Sequence, residues 1–365
     1  MSADIAIVHE RFTELGGSEL VVSELHSMFP GAPIFTAFVD HEKLPVELAD
    51  ATIVPSALQR VYRGGRGAHL MPAIPGAFRR FDLGGFDAVI TSHHTFANRV
   101  RPAPGARFVS YTYTPARWMW EPDSRDELGA GARFALRAFA AGQRPADRAA
   151  ASRPDELVAI SNHVAERIRR WWGRRARVVP PPTDTDWFTP DDTVSREDFF
   201  LIAGRLVEPK RPEVAIRAAA AAGVRLVVAG EGRLRPALES MAGPSVEWLG
   251  RVDRESLRDL FRRCGALLFP AEEDFGLVPV EAQACGAPVI GPAIGGLTET
   301  VIDGSTGLLY PNEADREVGA MADAIKAFDP VVMDDEKARA NATRFSRARF
   351  RSGVRGVLGD AYAGT

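Results

Sequence analysis

Residues 272–282 read Glu-Glu-Asp-Phe-Gly-Leu-Val-Pro-Val-Glu-Ala, with seven residues between Glu273 and Glu281. Carboxylates accept hydrogen bonds from sugar hydroxyls, and the amides of Phe275, Gly276 and Leu277 at a helix entry can hold phosphate oxygens. Acidic residues near a helix start often serve only the helix dipole. Here the spacing and the neighbours point instead to two contacts along one polar ligand. Residues 204–211, Gly-Arg-Leu-Val-Glu-Pro-Lys-Arg, follow an apolar run and bring Arg205 and Lys210 together. A guanidinium fork with an ammonium point charge suits a diphosphate. For Arg211 a solvated basic loop is the plainer explanation.

Three further places carry weaker signals. Gly16-Gly17-Ser18-Glu19 opens a helix after the first apolar run, where free amides and the dipole favour an anion. A tight turn explains it about as well, and the full G-x-G-x-x-G of a dinucleotide site is missing. Gly295-Gly296 opens another helix with the same two readings. Val252 is counted among the ligand-binding residues, while Asp253, which could pair with guanine, is more simply the N-cap of Arg-Glu-Ser-Leu. No His/Cys/Asp cluster has metal-ligand spacing, so no metal and no cofactor are expected.

These residues need elements to hold them. Short apolar runs alternate with amphipathic, helix-length segments, the pattern of parallel sheets with crossover helices. Strands are expected at 5–9, 33–39, 51–55, 86–91, 108–112, 156–161 and 177–180, then at 199–203, 225–229, 246–249, 266–270, 288–291 and 307–310. Helices are expected at 18–29, 126–150 and 162–172, then at 212–222, 234–241, 253–264, 277–285, 298–302 and 314–328. Ser161 is a good cap for the helix at 162. The proline-rich run 180–192 cannot continue a helix or enter a sheet, and it marks a domain boundary. The expected architecture is α/β: two Rossmann-like, doubly wound parallel-sheet domains, 1–182 and 193–344, facing a cleft. Ligands of such sheets bind at the carboxyl ends of the strands.

The chain has 365 residues, 45% hydrophobic and 25% charged, enough for two cores. A net charge of −3 provides no global drive toward nucleic acid. Two cysteines exclude a disulfide framework or a four-Cys zinc site and suit a reducing compartment. No apolar run reaches the ~18 residues of a spanning helix, and no basic leader precedes an apolar stretch, so a cytoplasmic protein is expected. Two stretches mix arginine with apolar residues: Arg60 through Arg66 and on to Phe81, and Arg167 through Arg175 with Trp171 and Trp172. They fit peripheral contact with an anionic lipid surface better than nucleic acid. The simplest account of the second makes Ile168 and Trp172 core and its arginines solvated.

Taken together the motifs resemble the retaining GT-B glycosyltransferases of family four over nearly the whole chain. The matching residues are Gly16-Gly17, Ala159-Ile160-Ser161, Pro181 through Thr185 with Phe188, Gly204-Arg205 with Lys210, Gly230-Glu231-Gly232 and Glu273 to Glu281. Residues 284–290, Gly295 to Glu299, Asp303-Gly304 and Thr306-Gly307 complete the pattern. Residues 111–121 and 91–97 look most like bacterial mannosyltransferases that use GDP-mannose. Relatives commonly carry His before Thr-Pro where this chain has Tyr113, whereas His94 matches a family histidine. The resemblance implies a nucleotide-sugar donor held mainly by the second domain and a glycan or lipid-linked acceptor on the first. It further implies catalytic roles for Arg205, Lys210, Glu273 and His94, the ribose on Glu281, no metal, and a C-terminal helix (345–365) returning to the first domain. A UDP-sugar transferase of the same fold, a nucleotide-sugar epimerase or hydrolase, and a non-catalytic glycan-binding protein are the alternatives.

Overall fold

The computed structural model describes residues 3–65, 67–121, 129–313, 315–329, 333–359 and 362. Arg66, residues 126–128 and 314 at the starts of two expected helices, and 360, 361 and 363–365 of the expected terminal helix lie outside the described residues. The chain forms two compact units, Met1–Pro182 with Phe350–Thr365, and Thr183–Arg349.

In the first unit, β1 (Ile5–His9), α1 (Gly17–Met28), β2 (Ile34–Thr36), β3 (Ile53–Pro55), α2 (Ile74–Phe78), β4 (Ala88–His93) and β5 (Arg107–Thr112) come first. They are followed by α3 (Arg117–Trp120), α4 (Ala130–Ala151), β6 (Glu156–Ala159), α5 (Asn162–Trp172) and β7 (Arg177–Val178). The sheet is parallel in the order β3-β2-β1-β4-β5-β6-β7. All five residues of β1 and all six of β4 are buried, as expected of parallel strands covered on both faces. α5 starts as its sequence dictates: Ser161 Oγ accepts the Val164 N–H at 3.1 Å, and Gly173, with φ 67°, closes it in the left-handed conformation.

The second unit contains β8 (Phe200–Ala203), α6 (Pro212–Ala222), β9 (Leu226–Ala229), α7 (Arg235–Met241), β10 (Val246–Gly250), α8 (Arg254–Arg263) and β11 (Ala266–Leu268). It continues through α9 (Leu277–Ala284), β12 (Val289–Pro292), α10 (Leu297–Thr300), β13 (Gly307–Tyr310), α11 (Glu317–Ala327) and α12 (Asp335–Thr343). Its parallel sheet runs β10-β9-β8-β11-β12-β13. Both sheets reverse winding direction beside their first strand, between β1 and β4 and between β8 and β11, and each reversal opens a crevice at the carboxyl ends.

Some expectations need correction, and some helices were not expected. The terminal helix α13 (Arg347–Leu358) lies within the expected 345–365, whereas α12 before it was not foreseen. Within the first unit α13 is held by Arg351 on Glu24, by Arg107 Nη2 donating to the Val357 carbonyl at 3.0 Å, and by Phe350 edge-on to Tyr111. In the basic stretch after β3, Leu70, Ile74 and Phe78 are core residues and α2 is an unforeseen helix. Arg167 is buried rather than solvated, because its guanidinium lies over the Trp171 ring at 5.7 Å and reaches toward Thr114 Oγ1. Ile168, Trp171 and Trp172 are all buried.

Candidate functional site

Parallel pairing of β1 with β4 sets His9 opposite Ser92, and the carboxyl ends of these strands carry a polar network. His9 Nδ1 and Ser92 Oγ lie 2.9 Å apart, Ser92 Oγ is 2.9 Å from the Tyr113 hydroxyl, and that hydroxyl donates to the Ser18 carbonyl at 3.1 Å. Tyr113 therefore ties the start of α1 to the sheet. Glu10 Oε1 accepts the amides of Thr95, Phe96 and Ala97 at 2.6–2.7 Å and that of His94 at 3.2 Å, which fixes the turn carrying His94. Residues flanking the network line a pocket of about 270 Å³ that includes His94, Glu10, Glu19 and Arg117.

His94 stacks on Tyr113 with centroids 4.3 Å apart. Burial, then the neighbouring His9, push its pKa down to about 3, so its imidazole is neutral at pH 7. Burial raises Glu19, but the hydrogen bond and charge of His9, 3.4 Å away, outweigh it and hold the carboxyl below 4.5. Gly16 is extended at φ −154°, and neither Gly16 nor Gly17 has a positive φ. No backbone strain demands glycine there; what the pair offers a ligand is the uncapped start of α1.

In the second unit Arg205 leaves the end of β8 through Gly204, whose φ of 135° only glycine adopts readily. That loop lies against the one after β9: Gly204 N–H donates to the Ala229 carbonyl and Leu206 N–H to that of Glu231. A Cβ on Gly230 would sit 1.9 Å from the Gly204 carbonyl oxygen, and one on Gly232 2.2 Å from that of Leu206. The Gly-Glu-Gly segment thus sets the position of Arg205 by close approach of backbone. Lys210 is paired with Glu273 Oε1, so a cation assigned to the diphosphate and the carboxylate assigned to the sugar stand together. Burial and the Arg205 guanidinium push the Lys210 ammonium down to about 8, against the pull of Asp274. Arg211 is not a solvated loop residue: it grips Glu317 with both terminal nitrogens.

The loop after β11 is clamped from β12's side of the sheet. Gly296 N–H donates to the Glu273 carbonyl at 2.7 Å, and a Cβ on Gly296 would meet Phe275 Cα at 2.4 Å. The anion role considered for this amide is therefore replaced by one of holding Glu273. The Phe275 side chain is buried against Phe345, leaving its backbone to line the α9 entry at Gly276, with φ 92°, and Leu277. Asp253 Oδ1 accepts the Ser256 N–H at 2.8 Å and is the cap of α8; Val252 precedes it. Beside that cap, Arg254 holds Asp184, which also accepts from Arg347 at 3.1 Å. Sequence reasoning passed over Arg254 and Glu10, whose partners lie 70 or more positions away. Among the described residues no group of three or more His, Cys, Asp or Glu could hold a metal ion.

Burial raises Glu281 to about 7, Arg254 opposing and Asp184 adding to the rise. The folded chain keeps a proton there that the unfolded chain releases near 4.5. Its contribution to stability is fully present below 4.5 and is lost as pH rises through about 7. Glu281→Gln should therefore gain thermal stability relative to the parent chain between about pH 5 and about pH 8. A melting-temperature difference that is constant over that range contradicts the burial of this carboxyl.

Residues 15–187 match the family described as Glycosyltransferase Family 4, and residues 185–349 match Glycosyl transferases group 1. The architecture is the GT-B fold of these glycosyltransferases. D-inositol 3-phosphate glycosyltransferases of Mycobacterium bovis and Mycobacterium tuberculosis are 37% identical over 195 residues, 47% of this chain and 40% of theirs. The alignment thus spans about two fifths of the curated relatives' length. The structure of Anabaena HepE in complex with UDP and glucose superposes with a TM-score of 0.70 at 17% identity, covering 98% of this chain and 99% of that one. Sucrose-phosphate synthase from Thermosynechococcus elongatus gives 0.69 at 19%, covering 97% and 96%. No helix among the described residues is long and apolar enough to cross a membrane.

Proposed function

We propose that the protein is a retaining glycosyltransferase that moves mannose from GDP-mannose to a glycan or lipid-linked acceptor, acting at the cytoplasmic face of a membrane. The observation that carries the transferase reading is the Lys210–Glu273 pair beside Arg205, at the carboxyl ends of the strands flanking the β8/β11 switch point. In this reading Arg205 and Lys210 neutralise the leaving diphosphate, Glu273 takes sugar hydroxyls and Glu281 the ribose. The amides of Gly16, Gly17, Phe275, Gly276 and Leu277 and the side chain of Val252 complete the donor contacts. Neutral His94 accepts from a sugar or acceptor hydroxyl in its pocket of the first unit.

The bond from the anomeric carbon to the diphosphate oxygen breaks, and the acceptor hydroxyl bonds to that carbon on the same face. Its proton passes to a phosphate oxygen of the leaving group. A retaining hydrolase would instead need a paired carboxylate as nucleophile. Positive charge at the leaving group comes from side chains, so transfer should continue in excess chelator. The test is release of nucleoside diphosphate and labelled product from a panel of nucleotide sugars with a membrane lipid extract. Release of free sugar, or of isomerised donor without acceptor, would instead identify a hydrolase or epimerase. A UDP-sugar donor is the second reading, favoured by the HepE structure with UDP.

Glu273→Gln exchanges one acceptor oxygen for a donor. It should weaken discrimination between GDP-mannose and GDP, whereas Glu281→Gln should weaken both ligands, because GDP has the ribose and lacks the mannose. Calorimetry on the two variants decides it; equal weakening of GDP and GDP-mannose by Glu273→Gln would remove this residue from the sugar.

A further inference from the structure

The first unit contains a larger pocket, about 630 Å³, at the opposite, amino end of its strands. It lies where the chain enters β5 and β6, opposite the carboxyl ends that carry His94. Four arginines line it, Arg79, Arg99, Arg101 and Arg153, with Asp155 the single carboxylate. Phe108 and the small side chains of one face of α4 make its apolar wall.

Arg99 is 2% exposed, and its Nε and Nη2 are buried with no hydrogen-bond partner among the described residues. The guanidinium carbon lies over the Phe96 ring at 5.9 Å, but buried guanidinium nitrogens without hydrogen bonds are costly and call for an explanation. Asp147 is the nearby carboxylate that favours its charge, but Asp147 Oδ2 already accepts the indole N–H groups of Trp120 and Trp172 at 2.8 and 2.7 Å. Asp155 is likewise engaged, accepting the Phe108 amide at 2.7 Å. Arg153 is anchored by donating to the carbonyls of Val100 at 2.8 Å and Asn98 at 2.5 Å, which draws the Arg99–Arg101 loop onto the end of α4. Burial and then the charges of Arg101, Arg99 and Arg79 hold Arg153 below its ordinary pKa, the mark of cations crowded together.

We propose that this pocket binds a phosphate ester, its phosphate held by Arg99, Arg79, Arg101 and Arg153 and its organic part against Phe108 and α4. Guanidinium forks match phosphate oxygens bidentately, and the volume exceeds what a bare phosphate fills. The same chemistry is offered by a soluble phosphate ester and by a phospholipid headgroup.

Hydrogen exchange of the full chain, read by mass spectrometry over residues 98–108 and 146–155, tests this away from the Arg205 site. One arm uses glycerol 3-phosphate against chloride at matched ionic strength. The other uses phosphatidylcholine vesicles with and without phosphatidic acid. Slower exchange of both segments is expected in at least one arm, the responding arm telling a soluble ester from a lipid. Apparent affinity should fall about tenfold in Arg101→Ser and in Arg79→Ser, and protection should vanish in Arg99→Met. Arg79 and Arg101 are exposed, so those two variants decide the matter even if Arg99→Met fails to fold. Absence of protection in both arms, protection unchanged in the variants, or protection by a single-stranded oligonucleotide alone would overturn the assignment.

Discussion

Arg205→Ala and Lys210→Ala should each lower turnover about 10²–10³-fold, the range seen when one group that stabilises developing transition-state charge is removed. In the proposed reading the leaving diphosphate gains negative charge as the sugar departs, and Arg205 and Lys210 meet that charge. Lys210 is held in its pair with Glu273, so its ammonium needs little reorganisation, and preorganisation is what makes such a contact effective. Lys210→Ala also leaves the Glu273 carboxylate without this cation, so donor affinity should drop along with turnover. Steady-state kinetics on folded variants with the donor identified by the panel provide the check. Near-parental turnover in both would remove the diphosphate from this loop.

Gly230→Ala should be nearly as damaging, although residue 230 carries no chemistry. The added methyl would stand 1.9 Å from the Gly204 carbonyl oxygen, which is backbone and cannot swing aside. The loop bearing Arg205 must shift by about 1 Å or more to admit it, and misplacement of that size can cost about 10²-fold in rate. Overpacking of this kind also costs about 1–3 kcal/mol of stability. Gly319→Ala is the matched control, since a Cβ there meets nothing within 4 Å and alanine is the better helix former. Circular dichroism melts and kinetics on both proteins would separate the outcomes; parental kinetics in Gly230→Ala would show that the loop position is not what the Gly-Glu-Gly segment provides.

Much of this fold was legible along the chain because parallel strands covered on both faces are runs of buried apolar residues. Ile5–His9 and Gly307–Tyr310 stand where the apolar runs put them. Caps were legible for a similar reason, since Ser161 and Asp253 act on amides three positions away. The stretch after β3 was not: its arginines and glycines masked Ile74 and Phe78, which reach the core only because α2 turns them inward. The helix α12 was missed as well, because its run Asp-Glu-Lys-Ala-Arg-Ala-Asn-Ala-Thr carries no large apolar residues to show a helical period.

The candidate residues themselves were visible by type, as charged and glycine residues at the ends of apolar runs. Their company was not. His9 and Ser92 are 83 positions apart, and Lys210 and Glu273 are 63. What joins them is strand order, β1 beside β4 and β8 beside β11, which is selected by backbone pairing and by crossovers packing onto a shared core. By itself, then, the sequence determined the α/β class, the strands and the chemical types at their ends, because each depends on neighbours a few residues away. Only the tertiary structure decided that Glu10 holds the His94 turn, that Gly230 and Gly296 hold the loops of Arg205 and Glu273, and that Arg153 holds the carbonyls of Asn98 and Val100 on either side of Arg99. Each of those is a contact between distant segments, and local side-chain pattern carries no record of which segments will meet.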